Sequence, residues 1–377
     1  MKVLVLNVGS TTLKVSVMDS DTGESIHDEL IDRIGQSGGD ATDHASAMQD
    51  VWQRCQVFSV DAIGHRVVQG ASVFPAATLV SDETLAELKQ LDALAPLHNP
   101  PARGVIEWIH QRARLPQVMV FDTSFFASLP RFATQYAIPN HFYVEHGLRR
   151  YGAHGTSHQY VTGVARNWLM QRDLPSRRVI SLHLGGGASI TASLEGAAVD
   201  TSMGLTPLEG LVMATRSGDV DPSIVLALMT QHGLSADDVS TMLNRESGLK
   251  GLCGDSDMRT ILERRRHGDA DASRAIEIYV HRIRKAIGAY VAVLGGLDAL
   301  IFTAGVGEKS AEIRALVLDR LDCFGLSIDQ DTNQSPAVDE VFDISEYDAA
   351  AKTLIVATNE SLAIAQQTHV CLMPRVP

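Results

Sequence analysis

The sequence predicts an α/β protein built from two duplicated halves, on three observations. Strand-like runs of alternating residues interleave with stretches of helical periodicity. The chain opens with a strand, a small glycine turn and a second strand in MKVLVLNVGSTTLKVSVMD, and this pattern returns from Val179 as VISLHLGGGASITASLEG. A third glycine segment, ALIFTAGVGEKSAEIR, reads as a strand, a loop around Gly305 and Gly307, then a helix.

Each element has a local cause. The first turn, Val8 to Thr12, fits plain hairpin chemistry, in which Gly9 and its hydroxyl neighbours supply the bend. It fits equally a cradle of backbone N–H groups and hydroxyls for phosphate, with Lys14 adding charge. One turn does not choose between these, but its recurrence points to a phosphate-facing turn near the start of each half. Further along, Ser81 is a natural N-cap for a helix carrying Leu85, Leu88 and Leu91. Asp221 and Pro222 fit the cap and first position of an apolar helix. Ile276, Tyr279, Val280, Ile283, Ile287, Tyr290, Val291 and Leu294 keep one helical stripe, with Arg282, Arg284 and Lys285 facing away. Gly295 and Gly296 then stop the helix.

A chain of 377 residues exceeds one ordinary core, so two or three domains are expected. With 45% hydrophobic and 20% charged residues it is neither collagen-like nor disordered. A net charge of -13 argues against nucleic-acid and anionic-membrane partners, while leaving room for an anionic small substrate wherever arginines gather. Cys55, Cys253, Cys323 and Cys371 lie far apart and form no zinc pattern, so they read as buried, reduced thiols. The short apolar run ending at Asn7 fits neither a signal peptide nor a membrane span, and the simplest expectation is a cytoplasmic enzyme or binding protein. GVGEKS misses the Walker A pattern because Glu308 precedes Lys309, and no dinucleotide fingerprint is present, since Gly185, Gly186 and Gly187 lead into a strand.

Five charged or imidazole groups stand out. HGTSH spaces His154 and His158 four apart but lacks the Glu and third ligand of a catalytic zinc site. His158 reads as structural, bonding nearby backbone, and His154 as the group available for chemistry. Arg216 sits among small residues with no evident local partner, a setting that suits an anion. Arg66, in IGHRVVQG, fits an edge or surface arginine when taken alone. Asp122 ends the apolar run Val118 to Phe121, at a strand's C-terminal edge, where ligand sites of open α/β sheets gather and where turn-capping is the competing use.

In order along the chain, LNVGSTTLK, GHRVV, FDTSFFASLP, RRYGAHGTSH, HLGGGASI, DTSMGLTPLEGLVMATRSGDVDP, DMR, FTAGVGEKSAEIR and TNE resemble the acetate kinase family, over residues 1 to about 360. The resemblance implies the actin-like, ribonuclease H-like fold shared by acetate and sugar kinases: two duplicated domains, 1–148 plus 359–377 and 149–358, with ATP in a cleft between them and a homodimeric assembly. It further implies that Asn7 and Glu360 organise Mg²⁺, with Mn²⁺ as a substitute, and that Lys14 contacts the nucleotide side. Arg66 would hold the substrate carboxylate, and Val68, Leu97, Ala153 and Pro207 would line the acyl pocket. Asp122 matches the family's catalytic acid, and His154 and Arg216 its transition-state stabilisers. His183, Leu184, Gly185, Gly186 and Gly187 match the phosphate loop. Asp257, Met258 and Arg259, with Gly305, Val306, Gly307, Glu308 and Lys309, match the adenosine pocket. The implied reaction is reversible, in-line transfer of a phosphoryl group from ATP to acetate, with propionate or another short-chain carboxylate as the alternative acceptor. A nucleotide-dependent binding protein of the same fold would not need Arg66, Asp122, His154, Arg216 and Glu360 together. The chain departs from the family in Gly186, where an Asn is usual, in Ala153, where a Phe is common, and in being somewhat short, mostly before Arg66.

Overall fold

The computed structural model describes residues 1–96, 98–335 and 340–374. The apolar opening forms β1 (Lys2–Val8), which is buried along most of its length. Antiparallel β2 (Leu13–Asp19) and β3 (Ser25–Ile31) fold back on one side of it. On the other side lie β4 (Ala62–Val67) and β6 (Gln117–Phe121), both parallel, and the short antiparallel β5 (Thr78–Leu79), giving the order β3-β2-β1-β4-β6-β5. A second sheet contains β7 (Arg178–Leu184), β8 (Ala188–Leu194), β9 (Ala197–Thr201), β10 (Ala299–Thr303), β11 (Val341–Asp343) and β12 (Lys352–Val356). Its order, β11-β12-β10-β7-β8-β9, repeats the first strand for strand, with β7 in the place of β1 and every parallel or antiparallel sense preserved. The duplication expected from the two glycine turns is therefore present in the topology.

The chain forms two compact units, one of residues 1–127, 153–157 and 359–377, the other of 128–152 and 158–358. In the first, Leu4, Leu6, Val15 and Val17 meet Met48 and Val51 of the helix His44–Cys55 and Val105 and Ile109 of the helix Asn99–His110. The helix Glu360–Leu372 lies directly on β4: a Cβ at Gly64 would stand 2.5 Å from Thr368 Oγ1 and 2.9 Å from Ile364 Cγ2. Glycine there is the condition for that close approach. In the second unit, Val161, Ala165 and Leu169 of the helix Gly155–Met170 pack on Val179, Ala299, Ile301 and Leu354.

The helix signals read from the sequence hold. Ser81 caps Asp82–Gln90, Asp221 caps Pro222–Thr230, and Ala270–Leu294 ends at Gly295 with φ 68°. Three readings are corrected. The segment around Gly305 and Gly307 is the short helix Ala304–Lys309, because the Glu308 carboxylate turns back to accept the Ala304 N–H at 2.8 Å and so completes a helical turn. His158 bonds the hydroxyls of Ser181 and Ser189, both at 2.7 Å, as well as being buried, so its partners are side chains of β7 and β8. Cys55 and Cys253 are buried, but Cys323, in the short turn Asp322–Phe324, is exposed, and Cys371, next to the last residue of the helix Glu360–Leu372, is half-buried. Among the described residues no helix is long and apolar enough to cross a membrane.

Candidate functional site

Strand register in the first unit brings the acidic and basic candidates into one row. Asn7 on β1 pairs with Arg66 on β4, Arg66 pairs with Val120 on β6, and Asp122 follows the end of β6. Arg66 stands on a central strand, not at an edge. Its Nε and Nη2 donate to Asp122 Oδ1 and Oδ2 at 3.1 and 2.5 Å, and its Nη1 donates to Asn7 Oδ1 at 3.0 Å. Asn7 Nδ2 in turn donates to Glu360 Oε2 at 3.3 Å, at the start of the C-terminal helix. Burial disfavours the Arg66 charge, yet Asp122 and Glu360 outweigh it and hold the proton more tightly than on a free guanidinium. Asp122 is 1% exposed, and Thr156 Oγ1 donates to its Oδ1 at 2.9 Å. Its carboxylate is thus held by side chains and caps no turn.

His154, two residues before Thr156, has φ 59°, in the left-handed region that few residues other than glycine adopt. Ala153 and Val68 are buried in the same unit. Leu97 lies outside the described residues. Lys14 is exposed on β2, opposite Asn7 in register. The first glycine turn is closed by Gly9 N–H donating to Thr12 O at 2.8 Å, and His44 Nε2 bonds Gly9 O at 3.0 Å.

In the second unit, His183 and Leu184 end β7, and Gly185, Gly186 and Gly187 turn into β8. Gly185 N–H donates to Gly187 O at 2.9 Å, and a Cβ at Gly185 would lie 3.7 Å from Ala304 Cβ. The phosphate-loop candidate and the start of the helix holding Gly305, Val306, Gly307, Glu308 and Lys309 are therefore neighbours. Glu308 Oε1 accepts from Ala304 N, Thr303 Oγ1 and Thr358 N, which makes its carboxylate the tie that shapes this segment. Asp257 caps Met258–Arg266, and the Arg259 fork holds its carboxyl down at about 2. Met258 is buried and Arg259 exposed.

Arg216 has a partner the sequence did not disclose: its Nη1 donates to Pro207 O at 2.7 Å. Burial pulls its pKa below the ordinary guanidinium value, and among the described residues no carboxylate forms an ion pair with it. Sequence reasoning also missed the anchor of the loop between Ser202 and Asp219. Glu209 accepts from Arg150 Nη2 at 2.7 Å and from the Tyr136 hydroxyl, which itself accepts the Leu205 N–H at 2.9 Å. A Cβ at Gly204 would collide with Glu209 Oε2 at 1.5 Å, so that glycine is what lets Glu209 in. The only sequence signal was the acid within TPLEG, set among residues otherwise small or apolar.

Asn7 and Glu360 supply an amide oxygen and a carboxylate, hard donors of the kind a divalent cation takes. Among the described residues no group of three His, Cys, Asp or Glu could hold a metal ion by itself. That donor set fits Mg²⁺ carried largely by phosphate and water, and does not fit an all-protein cage.

A model of the acetokinase family matches residues 42–366. The chain is 45% identical over 386 aligned positions to an acetate kinase of Micrococcus luteus, covering 98% of each chain. It resembles the crystal structure of the Porphyromonas gingivalis acetate kinase with a TM-score of 0.91 and 35% identity, over 99% of this chain and all of the other. It also resembles a propionate kinase of Francisella tularensis with a TM-score of 0.92 and 37% identity, over 98% of this chain and all of the other.

Proposed function

The chain belongs to the acetokinase family, and on that premise we propose that it phosphorylates acetate with ATP, giving acetyl phosphate and ADP. It is a kinase with a carboxyl group as acceptor, dependent on ATP and a divalent metal. One carboxylate oxygen of the acid attacks the γ-phosphorus in line, the new bond is O–P, and the electron pair of the breaking P–O bond leaves on ADP. A carboxylate is already ionised near neutral pH, so the protein need supply no strong base. Its work is alignment and neutralisation of the phosphoryl oxygens.

The observation that carries this reading is the partly buried row of Asp122, Arg66, Asn7 and Glu360, in which strand register aligns the first three and a hydrogen bond from Asn7 adds Glu360. Three N–H groups of Arg66 are engaged within the row, and its remaining donors are what would meet the acid's carboxylate. Asp122 orients that guanidinium. Val68 and Ala153 would face the acyl chain. Asn7 and Glu360 would hold Mg²⁺, or Mn²⁺ in its place, which would screen the charge of the nucleotide phosphates. Lys14 and the turn from His183 to Gly187 would contact the phosphates, while Asp257 to Arg259 and Gly305 to Lys309 would receive the adenosine. Arg216, half-buried without a carboxylate partner among the described residues, and His154 would meet the transferring phosphoryl group.

Ala153 favours a second acceptor beside acetate, since a methyl in place of a ring leaves room for longer acids such as propionate. A cytoplasmic location accords with four cysteines that form no disulfide. Assembly as a homodimer is supported by the helix Pro222–Thr230, which has no buried residue and exposes Ile224, Leu226 and Met229. The decisive experiment traps acyl phosphate as hydroxamate from ATP, Mg²⁺ and a panel of carboxylic acids. Product from acetate and propionate is expected, and no product from any acid while nucleotide still binds would leave only a binding protein.

A further inference from the structure

We propose that Thr156 is a positioning residue for Asp122, and that it clamps the turn His154, Gly155, Thr156 and the Asp122 carboxylate into one rigid piece; this rests on the function proposed above. His154 holds a left-handed backbone, which strains a residue other than glycine and persists only where neighbours over-determine it. Asp122 supplies that restraint twice. Gly155 lies on the Asp122 carbonyl so closely that a Cβ would stand 1.9 Å from the oxygen and 3.1 Å from Phe125 Cβ. The next residue, Thr156, donates its hydroxyl to Asp122 Oδ1 at 2.9 Å, with both residues buried.

The hydroxyl adds what Arg66 alone does not. The guanidinium grips both carboxylate oxygens from one side, in the plane of its own fork. Oδ1 receives the Thr156 proton as a second, independent donor, so the carboxylate is held at two points that lie on different elements, β4 and the start of the helix Gly155–Met170. Threonine suits the task because its branched Cβ restricts χ1 and its methyl fills the buried space. With the clamp intact, His154 and Asp122 keep a fixed spacing. Without it, the Arg66 pair survives, but the carboxylate and the histidine turn lose their common reference.

The test compares Thr156→Val and Thr156→Ser by steady-state kinetics on the full chain, with melting temperature as the control for folding. Loss of the hydroxyl in Thr156→Val should lower kcat by about 10- to 100-fold, the scale of a small misplacement, while the KM for ATP stays within about twofold. Thr156→Ser keeps the donor and should recover kcat to within about threefold of the wild type. Should Thr156→Val fail to fold, Thr156→Ala removes the hydroxyl without adding bulk and carries the same expectation. A folded Thr156→Val with normal kcat, or a Ser variant as slow as Val, overturns the proposal. Asp122→Asn separates the two levels: if it turns over normally, the assignment of Asp122 fails, whereas an inactive Asp122→Asn beside a normal Thr156→Val overturns the clamp alone.

Discussion

Arg66 meets Asp122 side-on, Nε to Oδ1 and Nη2 to Oδ2, with the carboxylate side chain 2% exposed and the guanidinium 16%. In that setting each group is the other's principal countercharge, with Thr156 supporting the carboxylate and Asn7 and Glu360 the guanidinium. Removing one strands the other.

Arg66→Ala should therefore act on stability as well as on substrate. Breaking a buried pair typically costs about 3 to 5 kcal/mol, which a denaturant titration would register as a lower midpoint at unchanged slope. In kinetics the KM for acetate should rise, with kcat falling too if alignment suffers. A variant that alters the nucleotide KM alone contradicts the assignment of Arg66 to the carboxylate.

Arg216→Lys should lower kcat far more than it raises the KM for ATP, because an ammonium cannot reproduce the planar fork that also rests on Pro207 O. Losses on the order of 1,000-fold accompany removal of a transition-state arginine. Near-normal turnover in the folded variant would leave Arg216 with only a role in the loop.

Gly186 is exposed, its φ lies outside the left-handed region, and a Cβ there would meet nothing within 4 Å. Gly186→Asn should consequently fold with an unchanged melting temperature and, if the turn from His183 to Gly187 binds phosphate as proposed, lower the KM for ATP by adding an amide donor. An unchanged KM would mean that the backbone N–H groups already suffice.

Ala153→Phe tests the acyl pocket. A methylene that fits an apolar pocket is worth about 1 to 3 kcal/mol, so filling the space should lower the propionate to acetate ratio of kcat/KM by about tenfold or more. Ala153 is buried, and a ring that finds no room would show itself as a loss of stability of about 1 to 3 kcal/mol. A ratio that does not move in a stable variant removes Ala153 from specificity.

His65 makes stability depend on pH. Burial, only partly opposed by its bond to Gln117, brings its pKa down to about 4. The unfolded chain binds that proton near its ordinary value of about 6.5, so between these values the unfolded state holds more protons and stability falls as the pH falls. The full window corresponds to about 3 kcal/mol. His158, pushed the same way by burial and by His183, adds to the same slope. His65→Asn should flatten the dependence of unfolding free energy between about pH 4 and 6.5, and an unaltered slope would show that His65 is protonated in the folded protein.

What the sequence made legible was local. Gly9 and Gly185 announced two hairpins, and Ser81, Asp221 and Gly295 marked helix ends because caps and left-handed stops act within a few residues. The partners of Arg66 were not legible, since they come from register across β1, β4 and β6 and from the far end of the chain. Thr156 lies inside HGTSH, where nothing in the residue pattern distinguishes its hydroxyl; only the fold shows that it faces Asp122. Glu308 followed the same logic in reverse, for an acid in a glycine-rich segment spends its oxygen on Ala304, Thr303 and Thr358.

The bond from Asn7 to Glu360 joins residues 353 positions apart, and the helix that begins at Glu360 covers the sheet at Gly64 with Ile364 and Thr368. During synthesis at about 5 to 20 residues per second, β1 and β4 thus wait on the order of tens of seconds for the segment that closes them. Through that interval the nascent chain carries an uncovered apolar sheet face, and Asn7 lacks its carboxylate partner. Every β7 to β12 strand emerges before the first half is finished, so the portion made first is the portion completed last.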